Sequence, residues 1–294
     1  FGGVRLLRAL SWRLCLGAHG RDIPFRSLLG VWLAGEAISN LSFWWSGEAF
    51  RVMTTRQAVS LDRALSAQLI LRALYAYASL WWVVVGLLLM WWVVPGHGVL
   101  YPIMLVATLA GIAALLLCTA ALVSQDGVIS RLARWMEPYQ GRHRLLERAL
   151  RFLRVLQNDL ASLVGGDRRR LATLLGWNLV AALAGVAEVY LVLRGLGVEV
   201  SIAGAAVIEA LNKPLALFGY VVPGNLGVRE AGNVLIVQLF GLAAVTGINL
   251  ALIRRARTMV WVAVGAWLLL RQGLSLRAVA ATPLAEAGAE KVLR

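Results

Sequence analysis

The stretch Val99–Val123, VLYPIMLVATLAGIAALLLCTAALV, contains no Asp, Glu, Lys or Arg anywhere along its 25 residues. As a helix it would rise about 37 Å, enough to cross a hydrocarbon layer about 30 Å thick. A helix on the surface of a soluble protein keeps one polar face for water, and this segment has none. The rest of the chain agrees with it. Sixty per cent of the 294 residues are hydrophobic and 15% are charged, and the mean hydropathy is +0.74. A soluble domain of that length must show water a more polar exterior. The expected fold class is therefore all-α, a polytopic helical membrane protein.

Upstream, residues 66–94 form a second long apolar run, with Trp81, Trp82, Trp91 and Trp92 suited to an interfacial belt. The turn Pro95–Gly98 between the two runs carries no Lys, Arg, Asp or Glu. Downstream, residues 126–170 hold ten arginines against five acids. The positive-inside rule makes 126–170 a basic cytoplasmic segment, puts 95–98 outside and returns 47–65 to the cytoplasm. Within the basic segment, leucines at 146, 150, 153, 156, 160 and 163 recur at helical spacing, with Arg144, Arg148, Arg151 and Arg154 between them. That is an amphipathic helix, either lying on an anionic leaflet or serving as a solvated linker. Residues 171–195 and 247–271 supply further spans, the second interrupted by Arg254, Arg255 and Arg257.

Two regions are apolar yet broken by polar residues. Residues 28–46 contain Glu36, Ser39, Asn40 and Ser42, and 201–222 contain Glu209, Asn212, Lys213 and Pro214. Such segments suit re-entrant or broken helices that line a cavity. They can be laid over each other. Trp45–Glu48 followed by Arg51 matches Val222–Asn225 followed by Arg229, and Ala67–Ala73 with Arg72 matches Leu250–Ala256 with Arg255. Three spans separate the copies, so they are expected to be inverted, a recurrent transporter design. The chain is then one integral membrane domain over 1–294, with a first repeat at 28–94 and a second at 201–271.

An arginine at mid-membrane costs about 2.5–3.5 kcal/mol on insertion scales. Arg72, Arg254, Arg255 and Arg257 therefore need carboxylates, lipid phosphate or water; Glu36, Glu48, Glu188, Glu209 and Glu230 are the acids within reach. Either Arg–Glu pairs hold the bundle together, or Arg51, Arg72, Arg229 and Arg255 line a cavity for an anionic head group, to which guanidinium donates two hydrogen bonds at once. The turn Gly224-Asn225-Leu226-Gly227 supports either an anion on free N–H groups or a tight bend needing positive φ.

Other function classes are weakly represented. The net charge of +14 lies in inter-helix segments with no nucleic-acid-binding motif. There is no P-loop, HExxH, paired CxxC or nucleophile elbow. Cys15 and Cys118 stand far apart, and His19, His97 and His143 are scattered. No cofactor, metal or catalytic residue is expected. The chain begins at Phe1 and shows no signal peptide, which leaves room for an earlier transmembrane helix ahead of it.

The stretch Val222-Pro-Gly-Asn-Leu-Gly-Val-Arg-Glu-Ala-Gly232 resembles the Pro-Gly-x-Leu-Gly-Val-Arg/Gln-Glu-Gly element of a flippase-like family. That family is named for the transmembrane region of lysylphosphatidylglycerol synthase. Phe240-Gly241-Leu242 and Leu252-Ile253-Arg254-Arg255 follow in the family's order, and Asn40 with Ser46-Gly47-Glu48 and Arg51 is similar to its amino-terminal motif. Val207–Leu211 looks most like the hopanoid-biosynthesis-associated branch, whereas Trp44-Trp45 replaces the usual Leu-Pro. The resemblance implies a multi-pass protein of the bacterial inner membrane that translocates an anionic or glycosylated lipid, such as a phosphatidylglycerol derivative or a hopanoid. Its rival is an accessory subunit that delivers lipid to a biosynthetic enzyme partner. The substrate-binding set is then Glu48, Arg51, Arg72, Gly224, Asn225, Gly227, Arg229, Glu230 and Arg255.

Overall fold

A computed structural model describes residues 2–17, 19–42, 45–56, 58–94, 100–123, 135, 144–218 and 227–271, and every regular element among them is helical. Ten helices carry the fold: α1 (Gly2–Cys15), α2 (Phe25–Leu41), α3 (Ser46–Thr55), α4 (Leu61–Val93), α5 (Leu100–Val123), α6 (Arg144–Ala161), α7 (Arg168–Gly195), α8 (Ile202–Phe218), α9 (Val228–Gln238) and α10 (Ala244–Arg271). The Pro95–Gly98 turn and the tail 272–294 lie outside the described residues.

Three of these helices are long and apolar enough to cross a membrane: α4, the Tyr101–Ala120 part of α5, and α7. Their ends are chemically marked. Asp167 caps α7, its carboxylate accepting the Arg170 N–H at 3.0 Å. At the other end Gly197, with φ +76°, closes α7 as the Val198 N–H reaches the Leu193 carbonyl at 2.9 Å. That left-handed C-cap pairs carbonyls otherwise left without partners. Helix α10 has 28 residues and thus the length of a span, but its arginines lower its hydropathy.

Helices α2 and α8 have 17 residues each, about 25 Å of rise, short of a full crossing. Each is followed in sequence by a short helix that packs on it, α3 or α9. Helix α3 folds back so closely on α2 that a Cβ on Gly47 would overlap the Gly35 carbonyl. Helix α9 lies on α8 with Gly232 against the Leu215 side chain. The sequence placed a break within 201–222 at Glu209–Pro214. The structure instead carries α8 through Pro214 to Phe218. Proline there removes one N–H and the bond to the Ala210 carbonyl, while Ala205, Val207, Ile208 and Ala210 are fully buried and hold the helix in place.

The contacts between elements come in matched sets. The half-length α2 packs on the long α10, and the half-length α8 packs on the long α4. Both crossings depend on glycine: a Cβ on Gly265 would overlap the Leu33 carbonyl, and one on Gly86 would overlap the Ala210 side chain. Helix α1 contacts α2 and α4, and α7 contacts α8 and α10. Four helices before α5 and four after α6 thus share one pattern of contacts, each half clasping the long helix of the other.

Helix α6 corrects both sequence expectations for the basic segment. Leu156 and, in the π-turn Ser162–Gly166, Leu163 are buried in the same core as Trp12 and Leu71, and Leu150 is buried as well. Ser66 of α4 donates a 2.7 Å hydrogen bond to Asp159. The leucine stripe is covered by protein, and Arg151 and Arg154 remain on the exposed side. An apolar stripe of helical period looks the same in sequence whether lipid or another helix covers it.

Candidate functional site

The charges within the helices are paired in two groups. In each half, the short helix after the half-length one places a glutamate in its first turn, Glu48 in α3 and Glu230 in α9. The amino-terminal end of a helix favours negative charge. Each glutamate then takes an arginine from the long helix that follows, Glu48 with Arg72 and Glu230 with Arg255. These pairs correct the register read from sequence, which set Glu48 against Asn225 and Arg51 against Arg229. By position, Glu48 and Glu230 correspond, and Arg51 corresponds to Asn233.

A cavity of about 300 Å³ opens where α1, α4, α7, α8, α9 and α10 meet, between the two four-helix halves. Seven basic and three acidic side chains line it. Glu209, 6% exposed, is one of its lining carboxylates. One oxygen accepts from Lys213 Nζ at 2.7 Å and the other from Arg254 Nη2 at 2.5 Å. Gly185 of α7 makes room for that carboxylate, since a Cβ there would overlap it. Glu188 of α7, 7% exposed, pairs with Arg257 and approaches Arg254 Nε at 3.5 Å. Pairing explains how α10 tolerates three arginines within four residues, because a buried charge needs a partner.

Two cations at the cavity are not neutralised in this way. Arg229, the second residue of α9, is exposed on the cavity wall, and its side chain makes no ion pair or hydrogen bond among the described residues. Arg8 of α1 has its guanidinium 4.1 Å over the Tyr75 ring and no carboxylate partner among the described residues. Its neighbour Arg5 differs: it donates to both oxygens of Glu36 at 3.1 and 2.8 Å and stacks over Trp261.

Of the residues singled out from sequence, Arg229, Glu230 and Arg255 come together at this cavity. Glu48, Arg51 and Arg72 do not line it. They belong to the α2–α3–α4 contact, where Arg51, 7% exposed, stacks 3.8 Å over Trp32 and reaches the Trp32 carbonyl at 3.4 Å. Gly227 adopts φ +80° at the start of α9, consistent with the tight-bend reading. Gly224 and Asn225 lie outside the described residues. The substrate-binding set drawn from sequence omitted Arg5, Arg8, Lys213, Arg254 and Arg257 of the cavity wall, and the carboxylates Glu188 and Glu209. The available signal was an ionisable residue within an apolar helix, a functional-site marker in its own right. It was outweighed by the appearance of a matched pattern elsewhere.

A helical membrane protein with a basic, ion-paired cavity between two similarly built halves is the class that fold and site define. Residues 2–283 match the family described as the lysylphosphatidylglycerol synthase TM region, and the chain belongs to that family. No curated protein and no solved structure matches it.

Proposed function

We propose that the chain is a lipid translocase of the bacterial inner membrane, multi-pass, acting on a lipid with an anionic or glycosylated head group. A phosphatidylglycerol derivative or a hopanoid of the branch suggested by Val207–Leu211 fits this description. The observation that carries the reading is Arg229: an unpaired guanidinium on the wall of a cavity with a large excess of basic side chains. A polar cavity among membrane helices takes a head group, while acyl chains stay in the surrounding lipid. Its 300 Å³ lies at the small end of ligand-site volumes and matches a head group rather than a whole lipid. The two similarly connected halves support the reading further, because repeats related by inversion place a substrate site at their interface.

We read the protein as a carrier and not an enzyme. Its three lining carboxylates are each engaged by arginine or lysine, which leaves them poorly placed as general bases.

The test is movement of fluorescent lipids across proteoliposomes, comparing the protein with its Arg229→Ala and Glu230→Gln variants. Protein-dependent movement should fall to the level of empty vesicles in Arg229→Ala and decline in Glu230→Gln, with both variants eluting as folded protein. Full movement in Arg229→Ala would remove this cavity from the path. No movement by the unmodified protein with any head group would favour the accessory reading, in which lipid is passed to a biosynthetic enzyme partner.

A further inference from the structure

The charge balance of the cavity narrows the class of head group, an inference that rests on the lipid-carrier reading above. Glu36 neutralises Arg5, and Glu230 neutralises Arg255. Glu188 and Glu209 together serve Lys213, Arg254 and Arg257, one cation more than they can neutralise. Arg8 and Arg229 have no carboxylate partner among the described residues. The cavity therefore holds a surplus of three positive charges, even with Glu36 counted.

A single phosphodiester carries one negative charge and would leave most of that surplus unmet. A terminal phosphate adds about 1.5 to 2 negative charges at neutral pH and three acceptor oxygens. Uncompensated charge inside a protein is costly, so the occupant that meets the surplus is one with two linked phosphates. The positions of the cations agree. Arg8 belongs to α1 and Arg229 to α9, so the two unneutralised guanidiniums stand on different walls of the cavity. We propose that the cavity is built for a lipid diphosphate, with Arg229 and Arg8 binding its phosphates and the Lys213–Arg254–Arg257 cluster supplying the remaining positive charge.

The test is binding by the full chain in neutral detergent, using farnesyl diphosphate, farnesyl monophosphate, a short-chain phosphatidylglycerol and inorganic pyrophosphate as probes. One further unit of charge within reach of a guanidinium near the protein surface should favour binding by about tenfold or more. Farnesyl diphosphate should therefore bind about tenfold or more tighter than phosphatidylglycerol, with the monophosphate between them. Arg229→Ala and Arg8→Gln should each compress that ranking, and Arg229→Lys should restore part of it. Inorganic pyrophosphate binding as well as farnesyl diphosphate would overturn the lipid part of the proposal and leave a soluble diphosphate site. Equal affinity for phosphatidylglycerol and the diphosphate would overturn the diphosphate preference while leaving the lipid-carrier reading intact. A preference that survives in both arginine variants would overturn the assignment to Arg8 and Arg229. Failure to bind any of the probes would overturn the diphosphate site, whereas the lipid-carrier reading stands or falls separately on movement of lipid across proteoliposomes.

Discussion

Replacing Glu209 by Gln should destabilise the protein by about 3 kcal/mol, and the magnitude follows from its surroundings. Its side chain is 8% exposed and receives two charge-assisted hydrogen bonds, from Lys213 at 2.7 Å and Arg254 at 2.5 Å. Hydrogen bonds to charged groups contribute roughly 1.5–3 kcal/mol each, and removing one member of a buried ion pair costs about 3–5 kcal/mol because the other charge stays behind. Two features place the effect at the lower end. Arg254 keeps a second carboxylate, Glu188, 3.5 Å from its Nε, and Lys213 is 20% exposed toward the cavity. A loss of about 3 kcal/mol is roughly a hundredfold in the folded-to-unfolded ratio. Reversible denaturation in mixed micelles would measure it, followed by a double-mutant cycle of Glu209→Gln with Lys213→Met. The pair should couple by about 1 kcal/mol or more, since removing Lys213 relieves one of the stranded charges. A Glu209→Gln loss below about 1 kcal/mol, or strict additivity in the cycle, would mean that the carboxylate is hydrated rather than clamped, and the ion-pair account of the cavity would fail.

The α2–α3 reversal should respond to a single methyl group. Gly47→Ala puts a Cβ into the Gly35 carbonyl and the Ser39 hydroxyl, and overpacking of this kind costs about 1–3 kcal/mol; the same denaturation measurement checks it, and a neutral result would show that α3 does not lie on α2. On α6, Leu156→Ala should cost about 2–5 kcal/mol as a cavity in the core. Arg151→Gln on its exposed side should stay within about 0.5 kcal/mol; equal effects of the two would return α6 to the membrane surface.

Most of the helices were legible in the sequence, because a charge-free run such as Leu100–Val123 leaves few alternatives. The broken segments were legible as exceptions, through polar residues that an apolar helix has no reason to carry. Their partners were not. Arg254 and Arg255 are adjacent in sequence, yet a helix turns about 100° per residue, so one reaches Glu209 and Glu188 while the other reaches Glu230. No linear spacing says which arginine faces which glutamate. The register of the repeat failed for a related reason. Matching Gly47-Glu48 to Gly224-Asn225 follows the letters, whereas the structure matches positions counted from the starts of α3 and α9, and the segments ahead of those helices differ in length. The leucines of α6 mark an apolar face but say nothing of what covers it, which is why the sequence alone allows both a leaflet helix and a solvated linker and does not show the protein core that buries Leu156 and Leu163.

The two glutamate–arginine pairs have equivalent places but unequal surroundings. Glu48–Arg72 lies against the closed α2–α3 contact, where Arg51 fills the space with its stack on Trp32. Glu230–Arg255 lies on the wall of the open cavity, where the residue at Arg51's position is Asn233, buried and bonded to Asn212 at 3.2 Å. Substituting a short amide for a stacked guanidinium leaves room on the second side that the first side lacks. The halves are therefore alike in how their helices connect and different in what fills the interior. A site placed by the shared connections is then made one-sided by the side chains. That division fits Arg–Glu pairs that hold each half together, and it fits the proposal that a head group is taken by Arg229 and Arg8, neither of which has a carboxylate partner among the described residues.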